Sequence, residues 1–189
     1  MPRNNLMIIN ILLALAVILV LLAIVVALRP AAFRVVRSAT ISAPPAVVFA
    51  HVNDLHKWQA WSPWAKQDPA AKTIFEGPPA GTGAAMAWAG DKVGEGRMTI
   101  TESRASELVR FKLDFLKPFK ATNTAEFTFT PEADQTVVTW SMSGKNNFMS
   151  KAVSLFMNCD KMIGGDFEKG LTDLKLMSES GAEVPLAHN

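Results

Sequence analysis

ELVRFKLDF, residues 107–115, alternates without a break from Val109 to Phe115. Val109, Phe111, Leu113 and Phe115 share one side, and Arg110, Lys112 and Asp114 the other. Strict period-two alternation gives a strand one apolar face and one wet face, the mark of an antiparallel sheet with a core on one side. The pattern extends in both directions. In ATNTAEFTFT (121–130), Phe127 and Phe129 oppose Glu126, Thr128 and Thr130; in QTVVTWSMS (135–143), Val138, Trp140 and Met142 oppose Val137, Thr139 and Ser141. Upstream, KTIFEG (72–77), TGAAMAW (82–88) and GRMTITES (96–103) are separated by the turn signals PPAG and AGDKVG. FRVVRSATI (33–41), rich in β-branched residues, reads as a first strand.

Two short helices are expected between the first and second strands. Pro44 and Pro45 fall in the first turn of AVVFAHV (46–52), where a missing N–H costs nothing. Asn53 or Asp54 can cap DLHKWQAW (54–61), which Pro63 ends. From Phe148 to Met177, Val153, Phe156, Met157, Met162 (after a slip), Phe167, Leu171 and Leu174 recur at helical steps. Gly164-Gly165 interrupts them, and a glycine pair inside a helix predicts a kink there. The fold class is therefore α+β: a curved antiparallel sheet of about seven strands gripping a long C-terminal helix, with the gap between them as a candidate cavity.

Residues 6–28, LMIINILLALAVILVLLAIVVAL, carry no charge and one polar residue, Asn10. That length suits a single transmembrane helix. It exceeds the apolar region of a cleaved signal peptide, and no A-x-A cleavage site follows, so an uncleaved anchor is expected. Arg29, Arg34 and Arg37 follow the span and Arg3 precedes it. The positive-inside count thus tilts the soluble part towards the cytoplasmic side, although Arg34 and Arg37 belong to a strand. The expected organisation is an anchor over 1–30, one domain over 31–178 and a loose tail over 179–189. A domain of that size buries roughly 68–70% of its unfolded surface and needs no disulfide or metal to fold. The sole cysteine, Cys159, cannot form an internal disulfide.

Several function classes find no support. The net charge of +2, with no Lys/Arg run, does not point to nucleic acid. There is no H-E-x-x-H or cysteine cluster, so no metal and no cofactor is expected. Gly81-Thr82-Gly83 and Gly94-Glu95-Gly96 lack a third glycine and precede strands, so they read as hairpin glycines. His51 and His56 read as surface or helix-end residues beside the short helices; His188 lies in the tail. The chain has no Tyr, which leaves a positioned general acid or base hard to name.

Taken together, APPAVVFAHVNDLHKWQAWSPWAKQDP (43–69), GTGAAMAW (81–88), GEGRMTITE (94–102), FTFTP (127–131), TVVTWSMSG (136–144) and DKMIGGDFEKGL (160–171) resemble the START-like, or SRPBCC, superfamily. Within it the chain looks most like the polyketide cyclase/dehydrase and lipid-transport group, in the bacterial form with an N-terminal membrane helix. The resemblance spans about residues 33–178 and implies a helix-grip fold with a hydrophobic cavity. It implies no single chemistry, because the fold hosts carriers, cyclases, hydrolases and regulators.

The candidate cavity-lining residues are Trp61, Trp64, Met86, Trp88, Met98, Phe111, Phe127, Phe129, Trp140, Met142, Phe156 and Met162. Packing alone can account for such residues, since a buried Trp or Phe removes roughly 150–250 Å² from water. Met also suits surfaces that accept varied apolar ligands. Trp58 and Trp61 share a helix face and are expected under the sheet edge. Trp61 is expected to be the more buried, and Trp64, after Pro63, the nearer to a cavity mouth. Asp160, Lys161, Asp166, Glu168 and Lys169 read as the wet face of the long helix; a polar cavity group, if one exists, would be Asp160 or Asp166. The expected partners are a small hydrophobic ligand or lipid, and the membrane through residues 6–28; the sequence specifies no oligomeric state. Three functions remain open: a membrane-anchored hydrophobic-ligand binder, a cyclase/dehydrase-type enzyme on polyketide-like or aromatic substrates, and a non-catalytic partner or regulator of a membrane protein.

Overall fold

The computed structural model describes residues 3–146, 148–155 and 158–182. In chain order the elements are α1 (Arg3–Ala27), β1 (Ala32–Ile41), α2 (Pro45–Asn53), α3 (Leu55–Trp61), α4 (Pro63–Gln67), β2 (Lys72–Glu76), β3 (Ala85–Gly90) and β4 (Gly94–Arg104). They continue with β5 (Leu108–Lys117), β6 (Ala121–Glu132), β7 (Gln135–Lys145), α5 (Phe148–Val153) and α6 (Cys159–Ala182). The chain forms two compact units, residues 1–33 with 146–158, and residues 34–145 with 159–189.

The first unit contains α1 and α5. Met7–Ala27 holds 21 residues, about 31 Å of helix at 1.5 Å per residue, and so is long and apolar enough to cross a membrane. A membrane anchor and a signal sequence share those properties. Hydrogen bonds tie the segments of this unit together: Lys151 Nζ donates to the Ala27 carbonyl at 3.2 Å, the Asn146 N–H to the Ala31 carbonyl at 2.9 Å, and Asn146 Nδ2 to the Pro30 carbonyl at 3.2 Å.

The second unit is the sheet and its cover. The strand order is β1-β7-β6-β5-β4-β3-β2, with antiparallel pairing from β2 through β7. Ser38 meets Thr139 and Ser42 meets Gln135, so β1 runs against β7 in the same sense. The register stacks the alternating residues into rows across the inner face. One row is Met86, Met98, Leu113 and Asn123. The next is Ile100, Phe111, Ala125 and Met142, followed by Val109, Phe127 and Trp140. α2, α3 and α6 cover the last of these.

The short helices form where the sequence places them. Pro45 opens α2 behind Pro44, and the Asp54 carboxylate caps α3 by accepting from the His56 N–H at 2.9 Å. Trp58 and Trp61 lie over the middle of the sheet, against Phe111, Phe127 and Trp140 on β5, β6 and β7, and not under its edge.

The C-terminal region departs from expectation. Residues 148–177 do not make one helix: α5 ends at Val153, and α6 begins at Cys159. Gly164 and Gly165, where a kink is expected, both lie inside the continuous α6. A Cβ on Gly164 would strike the Arg37 guanidinium, so this glycine permits close approach of an arginine. α6 also runs to Ala182, past the apolar stripe read from sequence. The stripe continues through a polar residue: Phe167, Leu171, Leu174 and Ser178 step by helical intervals, and all are buried.

Candidate functional site

The inner face of the sheet has two ends with different cover. At one end the aromatic side chains close on each other. Trp140 stacks flat on Phe167 of α6 (centroids 3.9 Å, 7°) and on Phe127 (4.6 Å, 29°). Trp58, Trp61 and Trp64 meet it edge-on at 5.8, 5.7 and 5.6 Å. These edge-to-face contacts suit the ring quadrupoles. The Trp61 indole donates to the His51 carbonyl at 3.2 Å, while Trp140 Nε1 is buried with no partner among the described residues.

At the other end the face is open. Trp88, Leu113 and Phe115 are half-buried and share the inner side with the buried Met86 and Met98. Trp88 lies across Gly96: a Cβ there would overlap the indole, with Trp88 Cη2 at 2.7 Å. The ring is pinned by an N–H bond to the Val93 carbonyl at 3.3 Å and by an edge contact with Phe115 at 5.9 Å. The turn beneath it is held by Asp68, buried after α4, whose carboxylate accepts from the Lys92 and Val93 N–H groups at 2.9 and 3.4 Å. Two amides border this open end. Asn123, 8% exposed, occupies the row of Met98 and Leu113. Gln59 Nε2 points at the Met86 sulfur, 3.1 Å away.

The sequence-derived candidates thus separate into two groups. Trp61, Phe111, Phe127, Phe129, Trp140 and Met142 are buried in the closed end or beside it, and Met86, Met98 and Trp88 line the open end. Trp61 is fully buried; Trp64 is half-buried, held edge-on by Trp140 and Phe167. Met162 is 52% exposed on α6, away from the buried set, and Phe156 lies outside the described residues. Asp160 is exposed and paired: it accepts from Arg37 at 3.1 Å, and Glu168 takes the same guanidinium at 2.7 Å. Asp166 accepts from Gln67 Nε2 at 3.0 Å at the rim of a groove of about 590 Å³ between α4 and α6. Lys66, Gln67, Glu168, Lys169, Thr172 and Asp173 are among the groove's lining residues, and Lys66 and Asp173 close on each other at 2.7 Å. Asn123 and Gln59 escaped the sequence reading. Asn123 was findable, because it keeps the alternation of Phe127 and Ala125, whereas Gln59 reaches the face only through tertiary packing.

Two titratable groups near the site are displaced. Burial, with the Lys57 charge adding to it, pushes the His51 imidazole below its ordinary value, and His51 Nδ1 is buried without a partner among the described residues. The Lys112 ammonium and the Thr122 hydroxyl hold the Asp114 carboxyl below the usual carboxylate range. The His51 displacement has a sign. The unfolded chain binds the proton more readily than the folded one, so stability is fully present above about pH 6.5 and falls as pH drops through the folded value. The expected result is a melting temperature that declines from about pH 7 to about pH 5 more steeply in the wild type than in His51→Gln. Equal slopes by circular dichroism would show that His51 is not the group responsible.

A curved antiparallel sheet closed by a long C-terminal helix defines the helix-grip class of α+β proteins. A family profile described as polyketide cyclase / dehydrase and lipid transport matches residues 32–179, and the chain belongs to that family. No curated protein matches the sequence. A crystal structure of a Chromobacterium violaceum protein superposes with a TM-score of 0.56 at 16% identity, covering 79% of this chain and 98% of that one. A Mesorhizobium loti protein does so with 0.57 at 16% identity, covering 78% and 98%. CalU16 from Micromonospora echinospora gives 0.52 at 14%, covering 77% and 74%. Identities this low show a shared fold.

Proposed function

We propose that this protein is a membrane-tethered, helix-grip binding domain that holds a small hydrophobic molecule, a lipid or a polyketide-like compound, against the open end of its inner sheet face. The observation that carries the reading is the half-buried row of Trp88, Leu113 and Phe115 beside Met86 and Met98. Elsewhere on the same face the apolar side chains are sealed by helices; here they form an apolar surface with two amides at its border. Such a surface, apolar with a few convergent polar groups, is what a small-molecule site requires. Met side chains adapt to ligands of different shape, and Asn123 and Gln59 can each donate to or accept from a ligand's polar end. The family description supports this ligand class, and α1 supplies the tether that brings an apolar ligand's source within reach.

Native mass spectrometry of the full-length chain released from detergent, followed by solvent extraction, tests the reading. The expected result is a discrete apolar adduct on the wild type and on Ile74→Glu, which alters the outer face, and its loss from Leu113→Glu. A clean apo mass for the wild type after incubation with mixed lipids and aromatic polyketides would overturn it.

A further inference from the structure

The end of β5 and the turn that follows it, residues Leu116 to Lys120, are exposed throughout, and their apolar side chains are large: Leu116 is 50% and Phe119 63% exposed. They lie at the end of the sheet where Phe115 and Trp88 leave the inner face half-open. Lys117 and Lys120 flank them, and Lys117 is steadied by Glu95 at 2.7 Å. The neighbouring β3–β4 turn adds the exposed Lys92, and Gly94 lets the two turns touch, since a Cβ there would meet the Lys117 carbonyl. Two protruding apolar side chains ringed by lysines fit a bilayer interface: the rings and methyls enter the acyl boundary while ammonium groups stay among the headgroups.

Connectivity selects the bilayer as the occupant. β1 runs against β7, and the β6–β7 register joins Asn123 to Gly144, so β1 starts at the same end of the sheet as the β5–β6 turn. Only residues 28–31 separate α1 from β1. Four extended residues reach at most about 14 Å. In sequence, β1 thus follows the candidate span almost directly, and it begins at the end of the sheet that carries Leu116 and Phe119.

We propose that the end of β5 and the β5–β6 turn dock into the interface of the bilayer through Leu116 and Phe119, setting the open end of the inner face against lipid. The proposal deepens the ligand reading, and rests on it for what passes across the contact: an apolar molecule would move between bilayer and sheet without crossing water.

The test uses the full-length chain in a Cys159→Ser background, reconstituted into phosphatidylcholine vesicles with and without phosphatidylglycerol. An environment-sensitive fluorophore is placed at Phe119→Cys or, as a control on the outer face of β2, at Ile74→Cys, and spin-labelled lipids are the quencher. The expected result is several-fold stronger lipid quenching at 119 than at 74, reduced by Leu116→Asp and less dependent on phosphatidylglycerol in Lys117→Gln/Lys120→Gln. Equal quenching at the two positions, with iodide reaching both alike, would overturn docking. Carbonate extraction of the same vesicles reads α1 separately. A chain that is extracted yet quenched at 119 overturns the span and supports docking; one that is retained but unquenched overturns docking alone. Docking without any adduct in the mass measurement sinks the ligand reading and leaves the interface contact standing.

Discussion

Trp140→Ala is expected to lower the stability of the domain by about 3–5 kcal/mol, the range for removing a fully buried aromatic side chain. Trp140 is 2% exposed and is the ring on which the closed end converges. It lies flat between Phe127 of the sheet and Phe167 of α6, with Trp58, Trp61 and Trp64 abutting its edges. Gly170 is glycine in order to fit against it, since a Cβ there would lie 2.8 Å from Trp140 Cζ3. Truncation leaves a void whose walls are rigid rings and cannot collapse. Urea denaturation of wild type and variant measures the loss directly, and the corresponding fall in melting temperature is about 6–20 °C for a domain of this size. The milder Trp140→Phe discriminates further. The buried indole N–H has no partner among the described residues, so its removal relieves a desolvation cost that offsets part of the lost contact area. A Trp140→Ala loss below about 1 kcal/mol would mean that α6 is held by other contacts, because surface substitutions are usually within that range.

Gly94→Ala is the second large effect. Gly94 opens β4 with φ +67°, in the left-handed region. An alanine there costs about 1–2 kcal/mol from the backbone alone. Its Cβ would also run into the Lys117 carbonyl oxygen, with the carbonyl carbon at 3.0 Å and Pro118 Cδ at 3.3 Å. Backbone cannot swing aside as a lysine tip can, so the ends of β4 and β5 must part. A total of at least about 2 kcal/mol is expected, combining conformation and overlap. Gly81→Ala is the matched control: its φ is +77°, and nothing lies within 4 Å of the added carbon. The difference between the two variants, from denaturation midpoints, isolates the overlap. If they cost the same, the contact between the two turns carries no weight.

Sequence periodicity located the sheet because alternation is a local consequence of the pleat. The Val109, Phe111, Leu113 and Phe115 series reads correctly from β5 alone, as do the inward series of β6 and β7. Periodicity says which face is apolar, however, and not how far along that face the cover extends. Met98 and Phe111 look equivalent in sequence to Leu113 and Phe115, yet the first pair is buried and the second half-open. The position of the α3 tryptophans and of Phe167 draws that line, and those are tertiary facts. The helix was misread for a related reason. The run from Phe148 to Met177 reads as one periodic helix but folds as α5 and α6, and at Gly164 the missing Cβ makes room for Arg37, far away in the chain. Likewise β3 begins at Ala85 and not at residue 82, because Gly83, with φ +93°, still belongs to the turn. Asp160, read as a possible cavity group, faces outward because Arg37 captures it from β1.

The sheet's strand order fixes when the domain can finish folding. β2 to β7 each pair with their neighbours in sequence, so their hairpins can close as they leave the ribosome. β1 alone must wait for β7: Ser38 and Thr139, which meet across that seam, are 101 residues apart. At about 5–20 residues per second, translation holds β1 without its partner for roughly 5–20 s. During that interval Val35 and Ile41, buried in the finished domain, have no sheet to pack on. The seam is also the contact of highest sequence separation in the sheet, the kind whose closure slows a search most. A nascent chain stopped before residue 135 therefore holds every other strand and still lacks the one that would shelter its first. For β1, pairing comes last in the sheet even though it is the first strand made.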